Sequence, residues 1–411
     1  MNFRSLFTRI PLFALLLVSS VTFAVKVPTS TPNFDLNLAF LLQMRAQAAF
    51  DGDPAAGRGA GPGPAPYGTF DTDFYIRRMR LIANGYAFQK FSFYIMFDTP
   101  NFGIRGNYTG STFVQDMHIG YEPIKEFAIE AGFIYMPFNY LGLLSSAATS
   151  SIEKGTAILF YNNSRGLRET GIQLRTLILD KRLYFRGGVF AGLHGGQTNQ
   201  NGAAVATTDA NCTTPNCTFT VNGNGRPLWA GTVRFNLIGG ENGYSFPSLY
   251  MDGNSHVSIG VAGQFQGKGS NTPITRVGPT GARTTTNTAV NDYLAYTGDV
   301  FVDFALPGDM EAVLMVDAER FDWGSGSDKT GNGIAAEAGF RVGQFEPEVN
   351  GYWFNSESHQ NSFLKFAGGL NWFIQRHNTK LSLEFIHQKN GVNLGTSPAV
   401  HMFLAQFQFY Y

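Results

Sequence analysis

The chain has 411 residues, with 30 Lys+Arg balanced by 30 Asp+Glu, and only 15% of its residues are charged. A net charge of zero excludes a general nucleic-acid binder, which carries excess base. Phe (38) and Gly (48) are abundant while mean hydropathy is near neutral, the average that strands with one apolar and one polar face produce.

The chain opens on a targeting segment. Arg4 and Arg9 precede the apolar run 10–23, and Thr22-Phe23-Ala24 offers small residues for cleavage. A membrane anchor would need a longer run, and this one contains Pro11. Residues 1–24 are therefore expected to be a cleaved signal peptide and 25–411 a single exported domain. No later apolar run is long enough for a membrane helix.

From 33 to 50 the alternation is unbroken. Phe34, Leu36, Leu38, Phe40, Leu42 and Met44 take one face, while Asp35, Asn37, Gln43, Arg45 and Gln47 take the other. A helix would space its polar residues by three and four, so this is a strand. Residues 51–69, rich in Gly and Pro, read as a loop. Further strands are expected at 73–84, 91–97, 113–122, 127–133, 169–179, 182–192, 228–238 and 255–266. The remainder fall at 293–305, 310–321, 333–343, 346–355, 363–375, 378–388 and 401–411. Short turns are expected near Gly85-Tyr86, at 123–125, and at Asp180-Lys181, 307–309, 344–347 and 376–378. Long connections fall at 98–112, 137–168, 193–227, 267–292, 322–332, 356–362 and 389–400. The stretch 239–254 sits where a short turn belongs, yet is long. The last strand, HMFLAQFQFYY, puts Phe403, Phe407 and Phe409 on one face and Gln406 and Gln408 on the other.

About sixteen strands, an even number, with short and long connections alternating, read as an all-β, transmembrane antiparallel β-barrel. Residues 401–411 would meet 33–50 to close it. A soluble sandwich would have shorter strands and no such loop rhythm.

If the apolar face of each strand meets lipid, the opposite face lines the lumen. The expected inward charges are Arg45, Arg78, Arg80, Arg175, Arg186 and Arg234 on early strands, with Asp116 and Glu130 among them. On later strands they are Asp299, Asp303, Asp317, Glu319 and Glu337, tempered by Arg341, Lys365 and Lys380. Base would then face acid across the lumen, a transverse field suited to a general diffusion pore. The alternative is that these charges only keep the interior wet. Residues 137–168 start apolar (Phe138, Tyr140, Leu141, Leu143, Leu144), as a loop tucked against the barrel wall would. This is the expected constriction loop, with Glu153, Lys154, Arg165 and Arg168 as its charges. So few basic residues, accompanied by Glu153 and Glu169, argue for modest anion preference rather than strict phosphate selectivity.

Cys212 and Cys217 lie in a Thr/Asn-rich loop of an exported chain and are expected to form a disulfide; a metal site would need partners that the lone His194 does not supply. No cofactor is expected. The seven His residues form no His-Glu-x-x-His, and Gly267-Lys268 lacks the remainder of a phosphate-binding loop, so an enzyme is not expected.

Certain stretches resemble the phosphate-selective porin (porin O/P) family of bacterial outer-membrane β-barrels. Phe74-Tyr75-Ile76-Arg77-Arg78-Met79-Arg80-Leu81 is similar to an early arginine-rich strand of that family. Asp116 in Gln115–Ile119 resembles its following Asp strand, and Gly132–Phe138 its motif before the third loop. Asn371-Trp372-Phe373 and the closing aromatic strand resemble its C-terminal end. The resemblance implies a sixteen-stranded outer-membrane barrel with an inward-folded third loop, usually a homotrimer. Its partners would be outer-membrane lipid and small hydrophilic solutes or anions. Three functions stay open: a passive porin, a phosphate- or anion-selective channel, and a structural or adhesive barrel without flux.

Overall fold

A strand immersed in lipid must pair along both edges, because nothing else there can satisfy its backbone. The computed structural model describes residues 25–27, 33–51, 70–153, 167–192, 226–240, 245–277, 283–324, 327, 329–357, 362–391 and 399–411. The first strands are β1 (Val25–Val27), β2 (Phe34–Asp51), β3 (Phe70–Ala87), β4 (Phe91–Asp98), β5 (Phe113–Ile124) and β6 (Phe127–Tyr135). After a single helical turn, α1 (Tyr140–Leu143), come β7 (Arg168–Ile178), β8 (Leu183–Phe190), β9 (Leu228–Ile238), β10 (His256–Val277) and β11 (Arg283–Leu306). The rest are β12 (Met310–Asp322), β13 (Gly331–Val342), β14 (Phe345–Ser356), β15 (Ser362–Gln375), β16 (Thr379–Gly391) and β17 (Ala399–Tyr410).

Each strand from β2 to β17 pairs antiparallel with its sequence neighbours, and β17 pairs with β2, from Val400↔Asp51 to Tyr410↔Leu41. The result is a closed sixteen-stranded barrel without an open seam. Beyond the end of β17, β2 is still extended, and β1 covers that stretch through Val25↔Leu38 and Val27↔Leu36.

Outward positions are apolar and open. Leu81, Ile119, Ile172, Val261, Val349 and Phe366 are 58–65% exposed. In water such a belt would drive aggregation, whereas in a bilayer it is the solvated face. Rings recur towards both rims: Tyr86, Phe91, Tyr121, Phe345 and Trp372 at the short-turn end, Trp229, Phe265 and Trp353 at the other. Inward positions around the barrel carry Arg186, Asp303, Glu346 and Gln408, all fully buried.

Two sequence expectations need correction. The turn expected at Gly85-Tyr86 lies inside β3, which runs on to Ala87. The connection expected at 267–292 is largely a hairpin, with β10 and β11 paired out to Val277↔Arg283. This stretch is rich in Thr, Asn and Gly, so it lacks the apolar-polar alternation by which a strand is recognised. From β3 onward, strands at the short-turn end are joined by two to four residues, except between β9 and β10, where 239–255 intervene, as the long stretch 239–254 foreshadowed.

Candidate functional site

The connection after β6 enters the lumen. Buried backbone needs partners for every N–H and C=O, and here the barrel wall supplies them. On one side, carboxylates accept N–H groups: Asp299 from Tyr140 (3.3 Å), Asp317 from Leu141 and Glu384 from Ile152 (2.7 Å). Asn139 caps α1 by accepting from the Gly142 N–H (2.9 Å) and donates to Glu319 (3.3 Å). On the other side, wall donors meet the carbonyls. Gln43 reaches Ser146 (3.0 Å), Gln408 reaches Ala147 (2.7 Å), Asn371 reaches Ser150 (2.9 Å) and Lys365 reaches Glu153 (3.2 Å), while Lys380 donates to Thr149. Residues 139–153 thus cross the lumen from the β11–β12 wall to β2.

The apolar start of this connection packs on inward rings. Tyr140 stacks on Phe301 (4.2 Å between centroids) and Phe138 tilts against Phe321 (5.8 Å). The sequence held a sign of this: β11 and β12 are apolar on both faces at Val300-Phe301-Val302 and Val313–Val316. A lumen wall in contact with water alone would not be.

Glu153, at the end of the described part of this connection, gathers arginines. Arg45 donates to it at 2.6 Å, Arg77 at 2.7 Å and Arg78 at 3.4 Å, so three guanidiniums share one carboxylate. Burial alone would raise the Glu153 carboxyl, but Arg77, Arg45 and Arg78 hold it well below the usual carboxylate range. Strict alternation puts Arg78 and Arg80 inward and Arg77 outward. A β-bulge removes that constraint: Gln43 pairs with Arg78 but Met44 with Ile76, leaving Arg77 as the extra residue, free to turn inward. Sequence reasoning missed Arg77 because nothing in a single sequence marks the bulge.

Below Glu153, Arg80 pairs with Asp98 (2.8 Å) and also donates to Ser146. Arg168 pairs with Asp116 (3.2 Å) and lies over the Tyr135 ring (3.6 Å). Between these pairs and the connection's tip at Ser145–Ala147 lies a cavity of about 190 Å³, also lined by Leu41, Tyr94, Ser245 and Tyr410.

The other expected lumen charges are placed differently. Arg234 and Asp299 pair with each other under Tyr140, whose ring lies 4.7 Å from the guanidinium, so they are sealed from the cavity. Asp303 accepts the Tyr250 N–H (2.7 Å), and Glu337 is buried, 3% exposed. The expected field of acid facing base across an open lumen is therefore not what forms, because the inserted connection occupies the acidic wall. Arg175 pairs with Glu130 (2.9 Å), and Arg186 donates to Gln173 and the Tyr135 carbonyl (both 3.1 Å). Lys154, Arg165, Cys212 and Cys217 lie outside the described residues.

Residues 67–246 match the family described as phosphate-selective porin O and P. The resemblance read from Phe74–Leu81, Asp116 and Gly132–Phe138 is thus borne out over that stretch. None of the curated proteins matches the chain. Among solved structures, it is similar to the outer membrane channel DcaP of Acinetobacter baumannii, with TM-score 0.55, 12% identity, and 94% of this chain and 100% of that chain covered. An anion-selective porin from Comamonas acidovorans aligns with TM-score 0.52 and 12% identity over 92% of this chain and 100% of that chain. OmpT of Vibrio cholerae, in its trimer form, gives TM-score 0.52 and 9% identity over 92% and 99%. At these identities the likeness establishes the sixteen-stranded barrel.

Proposed function

We propose that the protein is a passive outer-membrane porin for small hydrophilic solutes, with a modest preference for anions. Residues 1–24 are the signal peptide in this reading, residues 25–411 form the barrel, and the barrel assembles as a homotrimer. The observation that carries the preference is the convergence of Arg45, Arg77 and Arg78 on a single Glu153, three guanidiniums against one carboxylate. An anion at that point exchanges water for guanidinium donors. The preference is modest because Arg80 and Arg168, which flank the cavity, are each neutralised by a carboxylate. Strict phosphate selectivity would call for guanidiniums without such partners at the narrowest point.

Purified protein in a planar bilayer should give stepwise ohmic conductance, and in a salt gradient a reversal potential of the anion-preferring sign. Absence of conductance from folded barrel would overturn the porin reading. A reversal potential of zero or of cation sign would overturn the anion preference alone. Strong block of chloride current by phosphate would move the reading to the phosphate-selective alternative.

A further inference from the structure

The connection between β9 and β10 is longer than its position requires. Ile238 and Val257 already face each other across the ladder, so a turn like the others at that end would close the hairpin. Instead, residues 245–251 rise into the lumen from the end opposite to the connection after β6, and the two segments meet. Phe246 donates its N–H to the Leu143 carbonyl (3.0 Å) and accepts from the Ser145 N–H (2.7 Å), a parallel bridge between two loops. Ser248 donates its N–H to Ala148 (2.8 Å), and its Oγ accepts the Ser150 N–H (2.6 Å). Tyr140 Oη donates to the Pro247 carbonyl (2.9 Å), and its ring lies 5.0 Å from that of Phe246.

The lower part of this strap is fixed to the barrel. Leu249 and Met251 pack with Val313 and Phe373, the Leu249 carbonyl is 2.7 Å from His377 Nε2, and the Tyr250 N–H is held by Asp303. Phe246, Ser248 and Leu249 are all at most 1% exposed. Four backbone groups of the inserted connection, the N–H of Ser145 and Ser150 and the C=O of Leu143 and Ala148, thus depend on the strap rather than on the wall. A buried group without a partner is costly, so in the strap's absence this part of the connection would have to seek water or another wall.

We infer that residues 245–251 are a positioning element: entering from the opposite end, they clamp residues 143–150 in their course across the lumen and so set the width of the conduit beside Arg80 and Arg168. The inference rests on the porin reading above, because the clamp sets the width and charge of that conduit. Among the described residues of the strap, Ser245 lines the cavity beside Arg80 and Arg168. The strap's influence is exerted through the segment it holds.

Two variants test the inference. In one, residues 240–254 are replaced by the short linker Asn-Gly; in the other, Phe246→Ala removes the ring that meets Tyr140. Folding is checked by heat-modifiable migration, and wild-type conductance is measured alongside, so that a wild type without conductance counts against the porin reading and not against the strap. The linker variant should conduct roughly twofold or more above wild type, with a reversal potential closer to zero, since a freed constriction segment widens the path and uncovers the acidic wall. F246A should conduct with added open-channel noise and a smaller shift of the same sign. Wild-type conductance and reversal potential in the folded linker variant would overturn the inference. Should that variant fail to fold, wild-type behaviour of F246A would overturn it equally.

Discussion

At the scale of single residues, Glu153 is both an anchor and a counter-charge. Replacing it with Gln keeps the acceptor shape but leaves Arg45, Arg77 and Arg78 without a carboxylate. The E153Q variant should show a reversal potential shifted further in the anion sense. It should also lose about 1–3 kcal/mol of local stability, read as faster proteolysis within 137–168. Because its folded pKa is depressed, the Glu153 contribution to stability is complete above the ordinary carboxylate range and is lost only as pH falls well below it. His377 adds a loss of the same sign that begins at higher pH. Burial, with Lys380 adding to it, pushes the imidazole down to about 3, so it stays neutral while donating to Leu249. The unfolded chain takes that proton near ~6.5, so stability should fall as pH drops from there towards 3. Denaturation midpoints in detergent at neutral and mildly acid pH would measure the slope, and H377Q should flatten it. Among the residues expected to line the lumen, Arg78 and Arg80 were readable because alternation alone turns them inward. Arg77 was not, because the bulge that frees it depends on how β2 and β3 pair. Arg234 and Asp299 do face inward, but the inserted Tyr140 removes them from the cavity.

At the scale of elements, the strands were legible wherever lipid imposed a face. Segment 33–50 and β2 (Phe34–Asp51) agree to within a residue at either end. The outer parts of β10 and β11 were not, since a hairpin standing clear of the membrane needs no apolar face. The same reasoning marks where substitution hurts. Val261, on β10, is 62% exposed and points outward in the apolar belt. V261K should cost about 2–4 kcal/mol in refolding titrations into lipid bilayers, since a charge near the midplane has no water. The counterpart Ser258→Lys faces the lumen and tests overpacking instead, so its penalty should not depend on bilayer thickness. As for the β9–β10 connection, its length was visible in the sequence but its destination was not. Its partners, Leu143, Ser145 and Ala148, lie about a hundred positions earlier, beyond the reach of any local pattern.

At the scale of the whole molecule, an even strand count and alternating connections were sufficient to imply a closed barrel. Of what fills that barrel, the connection after β6 was announced by its apolar start, whereas residues 245–251 were not, because their place depends on contacts with that connection. The lumen is divided unequally. Apolar rings and loop backbone occupy the β11–β15 side, and the remaining cavity runs beside the arginines of β3 and β7. The division explains why carboxylates on later strands carry so little weight in the proposed selectivity: they are occupied as acceptors for the inserted backbone.

Closure by β17 has a consequence for the order in which the protein is built. The seam joins residues far apart in sequence, Arg45 to Gln406 and Gln43 to Gln408, and of these Gln43, Gln408 and Arg45 also grip the inserted connection. Both lumen segments belong to the chain before β11, whereas the wall that receives them is completed only by its final strand. Seam formation is a pairing across 361 to 365 positions of chain, the long-range kind of contact that forms slowly.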